Sequence, residues 1–337
     1  MTGTTFTSAV RTHLTDDYNP GETQIRYLYD RARKAQWNAD TDVDWSVDAR
    51  FGTPLPAGSP SATAAFESSP MARGGWDMWD RFRWETQSWM VSQFLHGEQG
   101  ALVVAARLVE VSPGLDSKLY AATQVVDEAR HVDVFARYLR EQVPEPYPVS
   151  APLESLLTDV LNDSRWDVTA LGMQIMVEAL ALAAFRLADQ TFHDPLIRQI
   201  TRLVARDEAR HVSFGVISLE DLYQELTSAE LADREDLVLE AAYSTRRRFL
   251  LGEVWDRLGV DRAAGIEYAE NDSLMIIYRR AIFSRVVSSI SRIGLMSERV
   301  RDGLDTLDLL GFANDRTRSE HRRSAERLRS RHARSAR

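Results

Sequence analysis

The word DEARH occurs twice in this chain, at 127–131 and at 207–211, each time inside an apolar, helix-forming stretch. Each copy contains Glu-x-x-His. On an α-helix positions i and i+3 share a face, so Glu128 points with His131 and Glu208 points with His211. Thirty residues upstream of each of these glutamates stands another in apolar company: Glu98 in FLHGEQGAL and Glu178 in QIMVEALAL. The chain thus carries Glu … Glu-x-x-His twice over. Four inward-facing glutamates repel one another and are costly to bury unpaired. Two divalent cations cancel their charge, with two neutral imidazoles completing the coordination. The chain has no cysteine, so the donors are oxygen and nitrogen only, a set that suits iron or manganese.

The surrounding periodicity is helical, and strand-type alternation is nearly absent. Long helices are predicted near 76–111, 115–142, 165–192 and 195–225. Ser112-Pro113-Gly114 and Asp194-Pro195 separate the members of each pair, and the crossover runs from Pro144 to Pro152. A shorter helix is expected at 22–37, a Pro/Gly/Ser-rich surface loop at 50–74, and further helices at 228–258, 262–291 and 296–310. Four antiparallel helices bring the six candidate ligands into one bundle core, an arrangement that ferritin-like dimetal carboxylate proteins share. The expected organisation is an N-terminal helix and wrapping loop (1–75), a four-helix dimetal core (76–225), additional helices of the same domain (226–314) and an Arg-rich flexible tail (315–337).

At these residues the chain resembles the carboxylate-bridged di-iron superfamily. That superfamily includes bacterial multicomponent monooxygenases, the ribonucleotide reductase small subunit, ligand-binding oxidases of similar fold and arylamine N-oxygenases. The resemblance covers about 76–225, and the segment RARKAQWNADTDVDW at 31–45 is similar to the corresponding region of reductase-like members. It implies an all-α, ferritin-like four-helix bundle with flanking helices. It also implies metal ligands at Glu98, Glu128, His131, Glu178, Glu208 and His211, with Glu128 and Glu208 bridging and Glu98 and Glu178 terminal. A metal-bound histidine needs an acceptor for its other ring nitrogen. By resemblance Asp207 serves His131, Asp127 serves His211, and Arg130 and Arg210 balance the aspartates.

Several positions depart from particular members. Phe135 stands where the reductase subunit has its radical tyrosine. Ala101 and Met173 stand at the crosslinking positions of the ligand-binding oxidases. Val204 occupies the place of the N-oxygenases' seventh ligand, a histidine, and Leu182 that of the monooxygenase threonine. One helical turn from the ligands, Phe94, Ala101, Leu102, Gln174, Ala181 and Leu182 are expected to line an apolar pocket that admits O₂ and a small organic substrate. His96 points away from the ligand face. Trp76, Trp79, Trp84 and Trp89 share no single face and read as packing residues.

The implied activity is an O₂-dependent oxygenase with two iron ions, or a Mn/Fe pair, that hydroxylates, N-oxygenates or desaturates a small, aromatic or amino substrate. Absence of cysteine, flavin motif and dinucleotide fingerprint makes a separate ferredoxin or reductase the expected electron donor. The alternatives are a ferroxidase or iron-handling protein and a radical-generating reductase-like subunit. Nine Arg against two Glu in 316–337 give that tail +7, leaving −16 elsewhere of a net −9, which argues against a nucleic-acid partner. No secretory signal opens the chain and the apolar runs read as too short to span a membrane, so a cytoplasmic homodimer is expected.

Overall fold

In a computed structural model the described residues are 12, 14, 16, 18, 19, 23–48 and 51–311. The Arg-rich tail expected at 315–337 lies outside them. No strand occurs among the described residues. The helices are α1 (Gln24–Lys34), α2 (Pro60–Ser68), α3 (Gly75–Val111), α4 (Leu115–Gln142), α5 (Ala151–Asn162), α6 (Trp166–Ala170), α7 (Glu178–Thr191) and α8 (Pro195–Glu220). They are followed by α9 (Leu222–Glu225), α10 (Ser228–Arg248), α11 (Gly252–Leu258), α12 (Arg262–Asn271), α13 (Ser273–Arg292) and α14 (Glu298–Thr306).

Helices α3 and α4 pack as one antiparallel pair and α7 and α8 as the other, with α1 laid across α4 and α8. One apolar core runs through them from Leu28 to Leu310. Asp194 locks the pairs together. Its side chain caps α8 through Leu196 N (2.8 Å), and it also accepts from the Tyr138 hydroxyl of α4 and from Gln87 Nε2 of α3 (3.4 Å). A cap of this kind satisfies amides that have no partner within the helix.

Four expectations are corrected. The stretch 50–74 is not one loop: Ser59 caps α2 with Pro60 at its first position, and Phe66 anchors α2 against Trp76 (4.2 Å between ring centroids). Residues 165–192 are one helical column, but Leu171–Val177 within it is wound as a π-helix. The helix expected at 228–258 breaks at Phe249–Leu251, where Leu251 is left-handed at φ 59°. Asp272 divides 262–291 by capping α13 through Leu274 N and Met275 N, both at 3.0 Å.

Trp166–Thr191 is long and apolar enough to cross a membrane, contrary to the expectation from the sequence. Within the fold, 89% of its most apolar window is buried, so its side chains are spent on the bundle core.

Candidate metal centre

Each half of the repeated pattern arrives on its own antiparallel pair: Glu98 on α3, Glu128 and His131 on α4, Glu178 on α7, Glu208 and His211 on α8. All six are at most 5% exposed. Donor atoms of Glu98, Glu128, His131 and Glu208 lie within 4.8 Å of one another, as do those of Glu128, Glu178 and His211, so Glu128 belongs to both groups. Its two oxygens reach both histidines, with His131 Nδ1 at 3.2 Å and His211 Nδ1 at 3.1 Å. Glu208 Oε1 does the same, at 3.3 Å and 3.4 Å. Glu98 sits 3.3 Å from His131 Nδ1 only. Two carboxylates therefore span the pair of histidines, while Glu98 and Glu178 flank it.

This donor set fits a pair of divalent cations. Glu178 Oε2, Glu208 Oε1 and His211 Nδ1 are buried without a hydrogen bond, a state that costs free energy unless another partner is supplied. Burial, then the charges of Glu208 and Glu128, hold Glu98 well above the usual carboxylate range, and burial does the same to Glu178. Burial also pushes Glu128 up, but His211 and His131 outweigh it and hold that carboxylate well below its ordinary value. Carboxylate oxygens with two imidazoles are hard-to-borderline donors suited to iron and manganese.

Behind the histidines lies a closed charge network. His131 Nε2 faces Asp207 Oδ2 at 3.2 Å, and His211 Nε2 faces Asp127 Oδ2 at 3.3 Å, each pair crossing between α4 and α8. The Nε2–H groups are thereby committed to donation, which leaves Nδ1 of each ring for a metal. Arg130 donates to Asp127 (2.5 Å) and Asp207 (2.9 Å), and Arg210 donates to Asp207 (2.5 Å) and Asp127 (3.2 Å).

Three participants were not foreseen from the sequence. Trp37 Nε1 donates to Asp207 at 2.7 Å and its ring lies under the Arg130 guanidinium. Gln36 Nε2 donates to Asp127 at 2.9 Å. Gln124, one turn before Glu128, donates to Glu178 at 2.7 Å. Gln124 carried a local signal, its i−4 spacing from a ligand in an apolar stretch; Gln36 and Trp37 lie within the 31–45 segment that is similar to reductase-like members, and they reach the site from the turn just after α1.

On the opposite side, Glu98, Glu178 and Glu208 open onto a narrow cavity of about 30 Å³. Phe94, Ala101 and Ala181 line it, whereas Leu102, Gln174 and Leu182 do not. The reason is helical phase. Residues three positions after Glu98 and Glu178 face the cavity, and those four positions after have rotated past it. Gln174 is displaced by the π turn, which seats it against Gly215 of α8 and within 3.4 Å of Gln124. A π turn beside a functional carboxylate is a recurrent arrangement. Gln93, Met176, Leu180, Phe185, Arg248 and Phe249 complete much of the wall. His96 bonds the Tyr147 carbonyl at 3.0 Å, away from the ligands. Phe135 is buried between Phe94 and Phe185, and Val204 and Met173 are wholly buried.

The family described as P-aminobenzoate N-oxygenase AurF matches residues 101–294, more than half of the chain. The chain belongs to that family. It is accordingly an oxygen-dependent oxidoreductase with a ferritin-like fold and a buried carboxylate–histidine metal site. Among solved structures, two variants of an R2-like ligand-binding oxidase are similar. A valine-to-alanine variant with anaerobically reconstituted Mn/Fe cofactor aligns at TM-score 0.56 and 18% identity, over 82% of this chain and 95% of that one. A tyrosine-to-phenylalanine variant with aerobically reconstituted Mn/Fe cofactor aligns with the same score, identity and coverage. At that identity the likeness concerns the fold. No curated protein matches the chain. Membership is notable for Val204: the N-oxygenase seventh-ligand position is a buried aliphatic residue here.

Proposed function

We propose that this chain is a dimetal oxygenase of the AurF family that uses O₂ to oxidise a small organic substrate, with an aromatic amine as the favoured class. The observation that carries this reading is the two-sided site. Six buried donors converge, with an apolar cavity against three of the glutamates and an ionic network against the two histidines. Glu98, Glu128 and His131 would hold one ion, Glu178, Glu208 and His211 the other, with Glu128 and Glu208 shared. Iron, or a Mn/Fe pair, would supply the electrons that activate O₂.

The chain's own residues do the rest. Asp207 and Asp127 fix both imidazoles in orientation and tautomer. Gln124 holds Glu178 by one oxygen and leaves the other directed inward. Phe94, Phe185, Leu180 and Met176 give the cavity an apolar wall with room for no more than a water or two, which strengthens every polar interaction at its metal-facing end. An apolar wall beside the glutamates favours the oxygenase over the ferroxidase reading, and a phenylalanine at 135 removes the phenol that a reductase-like radical subunit needs.

The same reading takes the protein as a cytoplasmic homodimer fed by a separate ferredoxin or reductase. The test is single-turnover oxidation. The iron-loaded, chemically reduced protein is mixed with ¹⁸O₂ and an aromatic amine, and the label is followed by mass spectrometry. Incorporation of ¹⁸O into the amine is expected; consumption of O₂ with only ferric iron formed would favour iron handling instead.

A further inference from the structure

Two cavities meet at one residue. The inner cavity, about 30 Å³, touches Glu98, Glu178 and Glu208. An outer one of about 250 Å³ lies among Trp79, Phe82, Trp84, Met90, Tyr268 and Tyr278. Phe249 lines both. A buried water needs roughly 10–15 Å³ and a benzene roughly 150 Å³ of such space. The inner cavity therefore has room for a molecule of O₂ or a water or two, and none for a ring. The outer cavity accommodates a substituted aromatic ring.

The wall of the outer cavity is chemically selective. Its polar side chains are mostly engaged elsewhere. Arg83 bonds Asp80 and the Pro56 carbonyl, Gln87 bonds Tyr138, and Asp272 caps α13. What faces the space is chiefly aromatic, aliphatic and thioether surface, with His193 and the unpartnered Thr86 Oγ1 and Trp79 Nε1 as polar points, which suits a flat, neutral ring through edge and stacking contacts.

The partition is built on a helix break. Phe249 follows the last residue of α10, and Leu251 adopts a left-handed conformation (φ 59°) that costs a leucine about 1–2 kcal/mol. The Phe249 ring rests edge-on to Trp89 (6.0 Å) and beside Tyr278 (6.2 Å). Arg248 covers it from the inner side at 5.4 Å, lies also over the Trp89 ring at 5.7 Å, lines the inner cavity, and leaves its Nε without a hydrogen bond. Ring and cation–π contacts, rather than directional hydrogen bonds, hold this side-chain pair in place.

We propose that the outer cavity is the docking chamber for the aromatic ring of the substrate, and that Phe249 is the movable partition through which the ring's reactive substituent enters the inner cavity. The route rests on the oxygenase reading; the docking chamber does not. The test is an absorption titration of the purified protein, without reductant, with 4-nitroaniline, whose band shifts in apolar surroundings. Saturable binding is expected. Met275→Trp or Leu274→Trp, each filling the outer cavity, weakens it at least tenfold, and Ala181→Val, filling the inner one, changes it less than twofold. Helical circular dichroism identifies any variant that fails to fold, and the two outer variants back each other up.

For the partition, 4-amino-4′-nitrobiphenyl binds Phe249→Ala at least tenfold tighter than wild type, and adding Ala181→Val removes that gain. Binding of 4-nitroaniline that ignores both outer variants, or no gain in Phe249→Ala, overturns the proposal. Wild-type protein that binds the ring yet oxidises no amine fails the oxygenase reading and leaves the chamber standing.

Discussion

Replacing Asp207 by Asn tests how the ionic network supports the metal centre. Asp207 is 1% exposed and takes four partners on two oxygens: Trp37 Nε1 at 2.7 Å, Arg130 at 2.9 Å, Arg210 at 2.5 Å and His131 Nε2 at 3.2 Å. Burial pushes this carboxyl up, yet the bond to His131 and the charges of His131 and Arg210 hold it below its ordinary value. An amide keeps one acceptor oxygen and turns an N–H₂ edge toward groups that also donate. It also leaves two guanidinium ions opposite a single aspartate. Breaking a buried ion pair costs about 3–5 kcal/mol. The side chains of Arg130 and Arg210 retain 11% and 8% exposure, so water relieves part of the charge and the lower end, about 3 kcal/mol, applies. Loss of the fixed tautomer of His131 weakens metal binding about 10–100-fold.

Urea unfolding of the metal-loaded protein reads the first quantity and a competitive Mn(II) titration reads the second. A double-mutant cycle with Arg210→Gln sharpens the comparison. Removing one charge of each sign restores balance, so the double variant loses less than the two single losses together. A loss under about 0.5 kcal/mol, the range of ordinary surface changes, together with unaltered Mn(II) affinity would refute the reasoning.

Other perturbations reach different parts of the molecule. Gly215→Ala sets a Cβ against that of Gln174 and should cost about 1–3 kcal/mol by overpacking, read as a lower urea midpoint; an unchanged midpoint would mean that the π segment yields freely. Ala181→Val fills the inner cavity and should abolish amine oxidation while the protein keeps its full metal content by elemental analysis, since Ala181 donates nothing to the ions. Burial raises Asp194 above its ordinary 3.8, so its favourable contribution is complete below 3.8 and is lost as pH rises through the higher folded value. Asp194→Asn lacks that loss, and its stability deficit against wild type should therefore shrink with rising pH across that window; a deficit that grows would contradict the sign.

Much of the site was legible because two independent periodicities coincide. The i, i+3 spacing inside each DEARH word and the thirty-residue interval to each upstream glutamate define which faces meet, whatever the loops do. Bounds of α3 and α4 followed from strong apolar periodicity ended by Ser112-Pro113-Gly114. The π turn before Glu178 was not legible. Its winding depends on tertiary closeness, with Gly172 pressed on Val160 and Gly215 on Gln174, and no local word encodes it. Helix α2 was masked by Pro and Ser, which also serve as its first residue and cap. Helix α5 was passed over in the crossover for the same reason, since Ser150 and Pro152 begin it. The cavity wall was half-read because α-helical phase was carried unchanged past the ligands. Arg248 and Phe249 offered no motif at all; they matter through a helix break some forty residues beyond the last ligand.

Anomalous diffraction from crystals grown with Fe(II) or Mn(II) tests the central claim most directly. Two ions per chain are predicted, about 3.5–4 Å apart as in other two-metal sites. One should be bonded to His131 Nδ1 and the other to His211 Nδ1, with Glu128 and Glu208 reaching both. A single ion, coordination through Nε2, or metal bound away from these six residues would contradict the account.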